Sequence, residues 1–178
     1  MSRIGKKLIN IPKGVTVTLD ENVLTVKGKH GSLEREFKNL VTFAVNDETI
    51  SINRINEDKT TKAYHGLIRA LTQNMVTGVN DLFSKTLIAE GVGYKFQVDA
   101  KNVVLSAGFS HTVDLPIPEG LTVKAEGATK ITISGIDREK VGFYASQIRD
   151  KRPPEPYKGK GILYQGEQII RKAGKTGR

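Results

Sequence analysis

Apolar and polar side chains alternate along Val15-Thr16-Val17-Thr18-Leu19, the period of a half-buried strand. The Asp20-Glu21-Asn22 cluster turns the chain and residues 23–27 run back, with a second turn over residues 28–31. Residues 32–37, 42–45 and 49–53 read as further short strands, the last with Ile50 and Ile52 on one face. From Asp58 the period lengthens: Tyr64, Leu67, Ile68, Leu71 and Met75 fall at helical spacing on one side, with Lys59, Lys62 and Arg69 away from it.

The same order then returns. Residues 85–90 read as an opening strand, Tyr94, Phe96 and Val98 alternate, residues 99–102 turn, and residues 103–107, 112–115, 121–125 and 131–134 are strands. Asp137 is placed to cap a helix whose apolar stripe is Val141, Tyr144, Ala145 and Ile148, and Pro153-Pro154 ends it. The identities agree with the pattern. At an offset of 80 residues Asn22-Val23 matches Asn102-Val103, Gly28 matches Gly108, Thr42 matches Thr122 and Thr49 matches Thr129. Tyr64, Ile68 and Arg69 match Tyr144, Ile148 and Arg149 at the same offset, and at 79 Gly14 meets Gly93 and Asp20 meets Asp99. The expected fold is α+β: two tandem copies of a mostly antiparallel β-sheet, each covered by one α-helix, with a basic N-terminal arm and C-terminal tail. The division expected is 1–82 for the first copy with its arm, 83–152 for the second, and 153–178 for the tail, with the hinge between copies near residues 78–83.

Charge sharpens this division. The chain of 178 residues carries a net charge of +9, yet residues 14–148 hold 15 basic and 16 acidic side chains and are nearly neutral. Residues 1–13 carry four basic side chains and no acid, and residues 149–178 carry nine basic and three acidic ones. The positive excess therefore sits at the two ends, around a balanced body. Absence of cysteine excludes disulfides, thiolate metal sites and a cysteine nucleophile, and fits a reducing compartment. Apolar stretches of about five residues are too short to span a bilayer, and Asn10, Pro12 and Lys13 interrupt the apolar start too early for a signal peptide.

No catalytic residue, cofactor or metal is implied. His30, His65 and His111 show no ligand spacing, and turn or surface positions account for them. Asp20-Glu21, Asp47-Glu48 and Asp137 read as turn and cap residues rather than a general acid and base. Gly174-Lys175-Thr176 resembles the end of a phosphate-binding loop, but Ile169 stands where the first glycine is required and no helix follows. Gly91-Val92-Gly93 opens like a dinucleotide fingerprint, but Phe96 replaces its third glycine and a strand follows, so a turn or bulge is favoured.

The chemistry lies after the second helix, in Arg149-Asp150-Lys151-Arg152-Pro153-Pro154-Glu155-Pro156-Tyr157-Lys158-Gly159-Lys160-Gly161-Ile162. Prolines stiffen an extended approach, Lys158 and Lys160 alternate with glycines that let the backbone come close to a partner, and ammonium groups with backbone N–H groups suit phosphate oxygens. Tyr157 and Tyr164 add flat surfaces for a ribose or an exposed base. Arg149, Lys151 and Arg152 also complement the dipole at the helix C-terminus, but that effect does not reach Lys158. A polyanion partner follows. RNA is favoured over DNA because no helix is basic along one face, and over a membrane because the tail lacks an amphipathic helix.

The segment from Pro154 to Ile162 resembles the signature of ribosomal protein six of the large subunit in its bacterial form. Ser2-Arg3-Ile4-Gly5-Lys6, Ile11-Pro12-Lys13-Gly14-Val15, Asn74-Met75-Val76-Thr77-Gly78-Val79, Gly91-Val92-Gly93-Tyr94 and Gly108-Phe109-Ser110-His111 are similar to other parts of that family, so the likeness runs through the whole chain. Leu8 departs from it, standing where the family often has proline.

This resemblance implies a non-catalytic constituent of the cytoplasmic ribosome. Its partners would be large-subunit ribosomal RNA and neighbouring large-subunit proteins, with no membrane and no small-molecule substrate, near the sarcin–ricin loop, the stalk base and the translation-factor site. Carried over residue by residue, the implied RNA contacts are Lys151, Arg152, Tyr157, Lys158, Gly159, Lys160 and Gly161, continued by Arg171, Lys172 and Lys175 and preceded by Arg149. Gly91, Gly93 and Lys95, and Ser110 with His111, would lie in RNA-facing turns, and Arg3, Lys6 and Lys7 would add contacts from the arm. A free-standing RNA-binding or ribosome-assembly factor is the alternative, and an enzyme built on Gly174-Lys175-Thr176 is disfavoured by the missing loop. Removing residues 149–178 is expected to leave both copies folded, or nearly so, and to remove most RNA affinity.

Overall fold

The computed structural model describes residues 4–46 and 48–175. The chain forms two compact units, Met1–Leu82 and Phe83–Arg178. In the first unit β1 (Ile9–Asn10), β2 (Thr16–Asp20), β3 (Val23–Gly28), β4 (Gly31–Glu36), β5 (Val41–Val45) and β6 (Thr49–Arg54) precede α1 (Lys59–Asn80). They pair antiparallel throughout, in the orders β2-β3-β4 and β1-β6-β5. Alternation puts Leu24 and Val26 of β3 and Ile50 and Ile52 of β6 on one side, where α1 covers them with Ile68, Met75, Val76 and Val79. Fully burying each such side chain contributes about 1.5–3 kcal/mol.

The second unit repeats the plan with β7 (Phe83–Glu90), β8 (Lys95–Val98), β9 (Asn102–Ser106), β10 (Val113–Pro116), β11 (Leu121–Ala125), β12 (Lys130–Gly135) and α2 (Arg138–Lys151). Its sheets run β10-β9-β8 and β11-β12-β7-β13, where β13 is Gly161–Tyr164. Element for element, β7 stands beside β12 as β1 stands beside β6, and β8 to β10 correspond to β2 to β4. The fold is α+β and duplicated, as the pattern required. Asp137 caps α2, its Oδ1 accepting the Glu139 N–H at 2.8 Å, an interaction worth about 1 kcal/mol. The predicted stripe of Val141, Tyr144, Ala145 and Ile148 is buried, and the Tyr144 hydroxyl donates to the Leu115 carbonyl at 3.1 Å. Burial pushes the Tyr144 phenol up to about 12.

Two elements depart from the sequence reading. β13 comes from the segment assigned to the tail: Gly161 to Tyr164 pair with Glu90 to Leu87 on the free edge of β7, and Ile162 is fully buried against α2 and the central strands. A cut at residue 149 or 153 therefore runs through the second unit and removes a paired strand and a buried isoleucine from it, which argues against the expectation that both copies stay folded without residues 149–178. Four residues are too few to display a strand period, and the flanking glycines and lysines disguise them. The other departure is the buried face of α1, which is Thr61, His65, Ile68, Thr72, Met75, Val76 and Val79, with Leu67 half exposed and Tyr64 on the flank. Polar side chains at 61, 65 and 72 moved the apparent stripe. His65 is no surface histidine: it is 3% exposed and its Nε2 donates to the Ile52 carbonyl at 2.8 Å. Among the described residues no helix is long and apolar enough to cross a membrane.

Candidate nucleic-acid interface

In the second unit three separate loops meet at one place. The first joins β7 to β8. Gly91 has a φ of 152° and packs so close to the Tyr94 ring that a Cβ would lie 3.0 Å from it, so only glycine fits there without displacing the ring. Tyr94 is folded underneath, 8% exposed, while Val92 at the tip is 91% exposed. The second joins β9 to β10, where the rings of Phe109 and His111 stack with centroids 5.8 Å apart and Ser110 is exposed between them. The third follows α2.

Arg152 ties the three together. Its Nε–H donates to the Tyr94 hydroxyl at 3.1 Å, and its guanidinium lies 5.3 Å over the Phe109 ring. The loop it starts is closed by backbone bonds: the Ile162 N–H donates to the Arg152 carbonyl at 2.8 Å and the Glu155 N–H to the Lys160 carbonyl at 2.9 Å. Gly161 is required at the closure, because its φ is 146° and a Cβ would stand 2.5 Å from the Pro154 Cα. Lys158, Lys160 and Tyr157 project from this closed loop into solvent. A second pass of chain lies against it, with the Lys172 N–H on the Pro156 carbonyl at 2.8 Å and the Arg171 guanidinium beside Gly159. Between the first and third loops opens a cleft of about 560 Å³ lined by Val92, Tyr94, Arg152, Glu155, Tyr157, Lys158 and Lys160.

The remaining sequence-predicted positions fall as follows. Lys95 begins β8 next to the first loop and Lys151 ends α2, both exposed. Lys175 is exposed at the end of the described tail. Lys6 and Lys7 are exposed in the arm of the first unit, and Arg3 lies outside the described residues. Arg149 has an internal partner: its Nη2 donates to Glu167 Oε1 at 2.7 Å, and its guanidinium also covers the Tyr164 ring at 5.5 Å. The repeat explains it. Arg69, the matching residue, donates from Nε to the Lys7 carbonyl and from Nη2 to the Leu8 carbonyl, both at 3.3 Å. Each arginine thus anchors one basic end of the chain to the helix of its own unit. Phe109 and Glu167 carry no signal in the sequence that marks these roles; only their neighbours do.

The anchor has a pH signature. Hydrogen bonds from Arg149 and then from the Tyr164 N–H hold the Glu167 carboxyl below the usual carboxylate range. Because the folded value lies below the unfolded one, the stabilisation is fully present above the unfolded value, near 4.5, and is lost as pH falls through the lower folded value. Glu167→Gln is expected to lower the melting temperature of the second unit at neutral pH, by about 1 kcal/mol in stability. Melting curves across pH should show wild type and variant converging in acid. A gap that persists unchanged at low pH would show that the carboxylate charge is not what holds the tail.

Comparison with known proteins adds the following. A family model described as ribosomal protein L6 matches residues 11–82 and 90–165, one stretch in each unit. The chain is 51% identical over 178 residues to the large ribosomal subunit protein uL6 of Maridesulfovibrio salexigens, with 100% of both chains covered. It is 51% identical over 179 residues to the large ribosomal subunit protein uL6 of Clostridium botulinum strain Langeland, covering 100% of this chain and 99% of the relative.

Proposed function

The chain belongs to the ribosomal protein L6 family, structural proteins of the large ribosomal subunit and not enzymes, and from that premise we propose that it binds large-subunit ribosomal RNA through its second unit. The observation that carries this reading is the joining of three loops by Arg152 into one cationic face. Exposed lysines there meet phosphates and exposed aromatic rings meet riboses or bases, while among the loop glycines Gly93 and Gly108 are exposed and Gly159 and Gly161 are buried, shaping the loop rather than touching a partner. The basic arm of the first unit adds a second foothold. Arg69 and Arg149 hold the two basic ends to folded helices, so less chain entropy is lost when RNA binds. By family resemblance the RNA is that around the sarcin–ricin loop and the stalk base, beside the translation-factor site.

Sedimentation of ribosomes through a high-salt cushion tests the reading against a free-standing RNA-binding or assembly factor. A constituent is expected to stay with the large subunit in stoichiometric amount. Release into the supernatant under salt that retains the other subunit proteins would refute constituency and favour the factor.

A further inference from the structure

We infer that the cleft between the 91–93 loop and the C-terminal loop receives a single unpaired nucleobase, extruded from its RNA strand; this rests on the RNA-binding reading and specifies what that site recognises. The volume of about 560 Å³ falls within the range of roughly 300–1,000 Å³ that encloses small ligands. Its lining mixes two kinds of surface. The 91–93 loop contributes Val92, left 91% exposed, and the loop after α2 contributes the Tyr157 ring, 57% exposed, together with Lys158, Lys160 and Arg152.

Phosphates alone do not explain such a cleft. A duplex keeps its bases stacked inside and shows a protein its backbone and shallow minor groove, which would leave Val92 and Tyr157 with nothing apolar to cover. An extruded base covers both, stacking on the phenol ring while its phosphates reach the two lysines. Glu155 sharpens the distinction. It lines the same cleft and as a carboxylate only accepts hydrogen bonds, so it repels a phosphate but suits the N–H groups on a base edge. Arg152 does not compete for that edge with its Nε, which is engaged by the Tyr94 hydroxyl.

The chain has no tryptophan and five tyrosines, so Tyr157→Trp places a single tryptophan in the cleft, excited at wavelengths where the remaining tyrosines do not absorb, without touching the core. Titration with deproteinised large-subunit ribosomal RNA is expected to quench its emission, whereas inorganic polyphosphate, which carries charge but no base, is expected not to. Phe143→Trp, on the exposed side of α2, is the control and should keep its emission. Tyr157→Leu is expected to weaken RNA binding roughly tenfold with an unchanged dependence on salt, since stacking is lost and no phosphate contact is. RNA retained on a filter with the Tyr157→Trp emission unchanged, or equal quenching by polyphosphate, would overturn the base-binding cleft while leaving RNA binding in place. A wild-type chain that retains no RNA on the filter would instead overturn the RNA-binding reading, and this inference with it.

Discussion

Replacing Lys158, Lys160, Arg171 and Lys172 together by alanine is expected to lower affinity for large-subunit ribosomal RNA by roughly two to three orders of magnitude near 0.1 M salt. All four side chains are exposed, and the backbone segments that carry them are bonded to each other through the Lys172 N–H and the Pro156 carbonyl, so they present one charged surface. Each phosphate contact removed returns condensed counterions to the RNA and flattens the plot of log affinity against log salt by roughly 0.7–0.9, giving a loss of slope near 3 for four contacts. None of the four contributes to the buried core, so the melting temperature should move little. Filter binding at several salt concentrations measures both affinity and slope. A variant with weaker binding and an unchanged slope would mean that these lysines and arginines act through loop shape rather than through phosphates. Sequence preference should also stay as it is, because phosphate contacts position a protein without reading bases.

The second large effect separates charge from folding. A chain ending at Arg152 loses β13, and is expected to leave the second unit without stable structure, whereas a chain ending at Gln168 keeps it folded. Ile162 is fully buried and Leu163 is 6% exposed, and large-to-small changes at such sites cost about 2–5 kcal/mol each. Losing both, with the ladder to β7, removes roughly as much as the 5–15 kcal/mol that a domain has in total. The longer chain retains Glu167 and so keeps the Arg149 anchor. Hydrogen exchange of the β7 and β12 amides distinguishes the two: protection in the chain ending at Gln168 and rapid exchange in the chain ending at Arg152. Protected β7 amides in the shorter chain would mean that β13 rides on a sheet already stable without it.

How much of this could be read along the chain depends on the distance over which each feature is encoded. Strands such as β3, β6 and β12 and the helix α2 were legible because five or more consecutive positions express a period, and burial enforces that period. β1 and β13 span two and four residues, too short for a pattern, and both lie in basic segments whose charge suggests solvent. The buried face of α1 was displaced because Thr61, His65 and Thr72 are buried in spite of their polarity, His65 with its Nε2 on the Ile52 carbonyl, so polarity there did not mean exposure. The charged ends stand out in the sequence as segments, but their residues do not share one role. Arg149 belongs to the same basic run as Lys158, but its guanidinium meets a carboxylate 18 positions later, and no local rule separates the two roles.

The sequence by itself determined the duplication, the α+β class, the balance of charge between body and ends, and the glycine and lysine spacing of the loop after α2. These are one-dimensional properties: a repeat, a period, a sum and a motif. Tertiary structure alone decided which parts of that loop are core and which are surface, and that the loops at 91–94, 108–111 and 152–160 form one face. The bond from Arg152 to Tyr94 spans 58 residues and exists because antiparallel pairing of β7 with β12 and β13 brings their ends together. A side chain's partner is fixed by where the backbone returns in space, and that return is set by the packing of the whole unit.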